Sequence, residues 1–92
     1  MLYCAMIDVN LPADMGPEAL AKLKESERLR AIELQESGKF VHLWRVAGRM
    51  ANISIFDCES NDELHELLSS LPMFPYFSIK IVPLAKHPSS IK

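Results

Sequence analysis

Two stretches with helical periodicity divide this chain into three β-patterned regions, and the middle region holds two strands. That spacing constrains the fold more than any other feature. Residues 2–10 form an apolar, partly β-branched run ending at Asn10-Leu11-Pro12, as a strand does before a turn. PADMGP follows, and its last residue, Pro17, suits the first helical position, where the missing N–H costs no intrahelical bond. The spacing predicts a helix from about Pro17 to Ser37, stopped at Gly38. Lys39–Val46, KFVHLWRV, alternates like a strand, with Phe40, His42 and Trp44 on one side and Val41, Leu43 and Arg45 on the other. Gly48 breaks the run. Met50–Asp57 then predicts a third strand, with Asn52, Ser54 and Phe56 on one side and Ala51, Ile53 and Ile55 on the other.

Ser60-Asn61-Asp62-Glu63 has the Ser-x-x-Glu spacing of a capping box, in which each end satisfies a free backbone donor. A second helix follows through Leu64, Leu67, Leu68 and Leu71, and it must end before Pro72, because the residue before proline is pushed out of helical geometry. Tyr76–Val82 predicts a fourth strand. PLAKHPSSIK is too polar and proline-broken to enter a core, so residues 1–92 read as one domain with 84–92 as a C-terminal tail. No internal repeat is visible. The order β-α-β-β-α-β is the split βαβ, or ferredoxin-like, pattern of the α+β class: a four-stranded antiparallel sheet with two helices on one face. The alternation leaves apolar residues on the other face too, and Leu29 and Ile32 lie on the outer side of the first helix. A monomer would leave both wet, so a homo-oligomer of the dimeric α+β barrel type is expected.

Composition narrows the partners. A net charge of −2 gives no electrostatic ground for nucleic acid or an anionic membrane. No apolar run reaches the roughly 18 residues that span a bilayer. MLYCAMIDV lacks a basic n-region and reads as a strand rather than a signal peptide. Cys4 and Cys58 could pair on arithmetic alone, but their apolar settings fit buried thiols in a reducing cytoplasm. There is no CxxC, HExxH or GxGxxG, so neither a metal nor a nucleotide cofactor is expected.

The candidate chemistry lies in KLKESERLRAIEL. At about 100° per residue, Leu20, Leu23, Ala31 and Leu34 form one stripe, and Glu27 falls near its middle. Such a glutamate can reach past the stripe to solvent or pair with an arginine. Alternatively it is buried, with a raised pKa that makes it a better proton acceptor near neutral pH. Lys24, one turn earlier, is placed for an i,i+3 pair with it, or sits on a solvated helix edge. His42 and Trp44 on strand two, Arg45 opposite them, and Asn52 and Ser54 on strand three are candidate substrate contacts, or else satisfied core or interface groups. A carboxylate, an amide, a hydroxyl and an imidazole between sheet and first helix suit a small polar organic substrate. No activated nucleophile stands out, which leaves acid–base chemistry on a C–H bond.

Taken together, MLY with VNLP, DM-x-P, LKESE, HLWRVAG, NISIFD, LHELLSSLP-x-FPY and HPSS resemble the muconolactone isomerase family over nearly the whole chain, Met1 to about Ser90. The resemblance implies a ferredoxin-like subunit in a ring-like decamer, acting in aromatic catabolism without cofactor or metal. It implies proton transfer on muconolactone to give the 3-oxoadipate enol-lactone, with Glu27 at the family's proton-carrying glutamate and Lys24 as the accompanying cation. Donors for the developing charge would come from Lys24, His42, Asn52 and Ser54, and Arg45 or Arg49 would hold the substrate carboxylate. One departure stands out: Met6 and Asp8 replace a basic residue and a threonine expected on the first strand. If they border the site, they make it more apolar and suit a chlorinated substrate. The related activity is 5-chloromuconolactone dehalogenase, which expels chloride to leave cis-dienelactone. A non-catalytic ferredoxin-like assembly or binding protein is the third reading, with Glu27 in an intersubunit ion pair and no cavity beside it.

Overall fold

The computed structural model describes residues Met1–Lys92. The elements follow the expected order: β1 (Leu2–Val9), α1 (Pro17–Glu36), β2 (Phe40–Arg45), β3 (Ala51–Asp57), α2 (Asn61–Ser69), a 3₁₀ turn at Phe74–Tyr76, and β4 (Phe77–Leu84). The strands lie in the order β2-β3-β1-β4, every neighbouring pair antiparallel. This is the ferredoxin-like α+β arrangement, with both helices on one face.

Register explains which residues meet the helices. Tyr3 lies opposite Phe56, Ala5 opposite Ser54 and Ile7 opposite Asn52. Successive side chains on a strand alternate between faces, so these positions share one side. Tyr3, Ala5, Ile7 and Phe56 are buried there with Leu34 from α1 and Leu64, Leu68 and Leu71 from α2 and its exit. The stripe Leu20, Leu23, Glu27, Ala31 and Leu34 does turn inward: Leu34 is buried and the others are half-buried. On the opposite face nothing covers the sheet. Leu2, Met6, Trp44 and Leu84 remain 44%, 43%, 54% and 42% exposed, too much for core positions.

The expected alternation of β2 fails at one point. Phe40 pairs with Phe56, but the next paired residue is His42, opposite Ile55, and the register then continues with Leu43 opposite Ser54 and Arg45 opposite Asn52. The irregularity leaves Val41 as an extra residue, a bulge that reverses the facing of everything after it. Phe40 therefore shares the helix side with Leu43 and Arg45, and it stacks on Phe56 with ring centroids 4.4 Å apart. His42 and Trp44 turn to the open face.

The ends of the elements follow local chemistry. Gly38, at φ +83°, ends α1, and Gly48, at φ +79°, turns β2 into β3; both angles favour a residue without Cβ. Ser60 Oγ accepts the Glu63 N–H at 3.1 Å, as a capping residue does. The reciprocal contact differs from a standard capping box, since Glu63 Oε1 accepts from the Glu59 N–H rather than from Ser60. Lys39 Nζ also reaches Glu63, at 3.2 Å, joining the start of β2 to α2. The fourth strand runs two residues past Val82 to Leu84. Pro83 is tolerated because β4 is an edge strand, where a missing N–H breaks no ladder on its outer side. Cys4 and Cys58 are free thiols, the second buried. No helix is long and apolar enough to cross a membrane.

Candidate active site

A cavity of about 500 Å³ opens between α1 and the helix-facing side of the sheet. Its walls are mostly apolar, with Ile7, Ala31, Ile32, Leu43 and Leu71 among them. Into it come Lys24, Glu27 and Arg28 from α1, Arg45 from β2, and Asn52 and Ser54 from β3. Leu29 and Ile32 are both exposed as expected, and Ile32 also borders the cavity mouth.

Glu27 is the one acidic residue on these walls. Its Oε1 accepts the Met73 main-chain N–H at 2.9 Å. Burial pushes the carboxyl above its ordinary 4.5, and the Met73 hydrogen bond works against that rise without cancelling it. Neither neighbouring arginine neutralises it: Arg28 binds Glu25 at 2.9 Å, and Arg30 pairs with Glu33. The i,i+3 ion pair expected with Lys24 is also absent, because the carboxylate reaches away toward the Met73 turn while Lys24 stays at the exposed rim. A half-buried carboxylate held by one oxygen keeps the other free to take a proton.

Lys24 and Arg45 line the cavity without an anionic partner in the chain. Arg49 does not join them, since its guanidinium binds Asp8 Oδ1 at 2.7 Å. Asn52 and Ser54 stand two residues apart on one face, and Ser54 Oγ donates to Asn52 Oδ1 at 2.7 Å. The structure therefore brings together Lys24, Glu27, Arg45, Asn52 and Ser54. It does not bring His42 and Trp44 to them within the subunit. The Val41 bulge sends that pair to the far side of the sheet, where the two rings stack 4.7 Å apart.

Three further residues change the picture. The Met73 N–H, which anchors Glu27, escaped the sequence; Pro72 marked the end of the second helix but not where a main-chain donor beyond it would point. Met6 and Asp8 lie on the open face, with Ile53 and Ala51 as their β3 partners, so within the subunit the first-strand departures do not border the cavity. Within the subunit these two positions give no ground for expecting a chlorinated substrate. The presence of a cavity beside Glu27 likewise goes against the non-catalytic reading.

Fold and cavity define a class: a small ferredoxin-like subunit that places one half-buried carboxylate in a mostly apolar hollow that Lys24 and Arg45 also line. Such a site can move a proton on a small anionic molecule. The family model described as Muconolactone delta-isomerase matches residues 1–90, and the chain belongs to that family. It is 54% identical over 92 residues to the muconolactone delta-isomerase of Cupriavidus pinatubonensis, covering all of both chains. It is 49% identical to muconolactone delta-isomerase 1 of Acinetobacter lwoffii, covering all of this chain and 96% of that one. A crystal structure of muconolactone isomerase superposes with a TM-score of 0.94 at 46% identity, over all of this chain and 96% of the other.

Proposed function

We propose that this protein isomerises muconolactone to the 3-oxoadipate enol-lactone, with Glu27 carrying the proton. The observation that carries the reading is the half-buried Glu27 carboxylate, anchored at 2.9 Å by the Met73 N–H inside an otherwise acid-free cavity. In muconolactone the ring C–H beside the carboxymethyl arm is conjugated through the C=C bond to the lactone carbonyl. Glu27 takes that proton, and the C–H electron pair becomes a dienolate whose charge rests on the carbonyl oxygen. The protonated carboxyl then returns the proton to the ring carbon next to the carbonyl, which leaves the double bond one position along. Atoms and charge balance within the substrate, so the reaction calls for neither an electron acceptor nor a metal.

Lys24 and Asn52 supply positive charge and an N–H for the dienolate oxygen, in surroundings where such contacts are worth more than in water. Arg45 holds the carboxylate of the carboxymethyl arm, where a planar guanidinium can make two parallel hydrogen bonds. His42 and Trp44 contribute only where a second subunit lies across the open face. The exposed apolar residues of that face support a homo-oligomer, with a decamer as the expected size and the cytoplasm as the expected location. Sedimentation or native mass measurement gives the subunit number.

The test offers muconolactone and 5-chloromuconolactone separately to purified protein and follows lactone conversion and free chloride. Rapid muconolactone turnover with little chloride release is expected. Abundant chloride with negligible muconolactone turnover would overturn the assignment.

A further inference from the structure

We infer that Ser54 is a positioning residue, whose hydroxyl fixes the Asn52 amide so that Nδ2 rather than Oδ1 faces the substrate oxygen. The inference rests on the isomerase reading above and deepens it. Ser54 is 1% exposed and is the one fully buried polar residue of the chain, so it cannot itself be the principal substrate contact. It sits on the helix-facing side of β3 between Ala5 of β1 and Leu43 of β2, whose side chains offer no polar atom. A buried hydroxyl needs a partner, and Asn52 Oδ1 at 2.7 Å provides it.

The consequence falls on Asn52. A side-chain amide can turn either its oxygen or its nitrogen toward a cavity, and the two ends have opposite effects on a developing oxyanion. With Oδ1 taken by Ser54, Nδ2 is the free end. It makes no hydrogen bond within the chain, yet no buried side-chain nitrogen or oxygen lacks a partner, so Nδ2 must be open to solvent. Asn52 shares the helix-facing side with Ile7 and Arg45 and lines the cavity, and the opening is therefore into the cavity. An N–H held in advance stabilises the dienolate without reorganising during the reaction.

A kinetic cycle tests this. Wild type, N52A, S54A and N52A/S54A are compared for kcat and KM on muconolactone, with thermal melting as a fold control. N52A should lower kcat by about 100-fold, as loss of one oxyanion donor does. S54A should lower kcat about 10-fold with KM within about twofold, and the double variant should be no slower than N52A, since residues acting through one contact are not additive. N52D supplies an independent reading: it keeps the bond from Ser54 but puts an acceptor where the donor was, and should be at least as slow as N52A. Unchanged kcat in S54A, multiplied losses in the double variant, or near-wild-type kcat in N52D would each overturn the positioning role while leaving the isomerase reading intact. A wild-type protein without muconolactone turnover would remove both.

Discussion

Glu27→Gln is the substitution from which most can be learned. Gln keeps the shape and an amide oxygen that can still accept the Met73 N–H, so the wall of the cavity should persist. It cannot take a proton. General-base catalysis contributes about 10²–10⁴ in rate, and no other acid lines this cavity to act instead, which places the expected loss toward the upper end. A fall in kcat of about 10³–10⁴ corresponds to about 4–5.4 kcal/mol of barrier. Stability should move the other way. Burial holds the folded pKa of Glu27 above its ordinary 4.5. Folding therefore takes up a proton between the unfolded and folded values, and the associated stability is complete below the unfolded pKa and lost as pH rises through the folded one. Gln never carries the disfavoured charge. E27Q should thus melt above wild type at pH 7, with the gap closing under conditions more acidic than the ordinary carboxyl pKa. Steady-state rates of lactone conversion, paired with thermal melts across pH, read both effects. An E27Q enzyme keeping more than about a tenth of wild-type kcat would refute the role of this base, because even the weakest general bases contribute more.

In wild type, kcat/KM should fall on acidification with an apparent pKa above 4.5, and a pH–rate profile without that limb would contradict an ionised Glu27 as the base. Arg45→Gln should raise KM more than it lowers kcat, with kcat/KM down about 10–100-fold for one lost charged hydrogen-bond partner; an unchanged KM would place the substrate carboxylate elsewhere. Met6→Lys and Asp8→Thr, on the open face, should leave the preference for muconolactone over its chlorinated analogue unchanged, as measured by the ratio of the two kcat/KM values. Ser60→Ala removes the acceptor for the Glu63 N–H at the start of α2 and should cost about 1 kcal/mol in denaturant unfolding without altering kcat.

Much of this molecule was legible in its residues because strong local signals agreed. Pro17, Gly38, Ser60 and Pro72 bracket two helices, and Gly48 divides two strands, so the order of elements followed before any contact was known. Glu27 could be read as an inward carboxylate because α1 is regular, and a regular helix obeys its wheel. β2 is where the inference failed. Alternation from Phe40 put His42 and Trp44 beside it, but a single extra residue at Val41 reversed the facing, and no side-chain pattern announces a bulge. The same error hid Leu43 as a cavity wall. Of the two settings open to Lys24, the exposed helix edge holds and the ion pair with Glu27 does not, because wheel geometry gives the direction of a Cβ and not the reach of a long side chain. The length of β4 was underread at Pro83, whose cost depends on whether the strand is an edge, and edge status is a property of the whole sheet.

The bond between Glu27 and Met73 has a genetic corollary. Its donor is main chain, so every replacement at position 73 except proline retains the N–H, and a survey that swaps side chains one by one would read there the packing of a buried residue, not the loss of this bond. What must be inherited is the course of the chain through Leu71-Pro72-Met73, not the thioether. Relatives can therefore differ at this position and still orient the same acid.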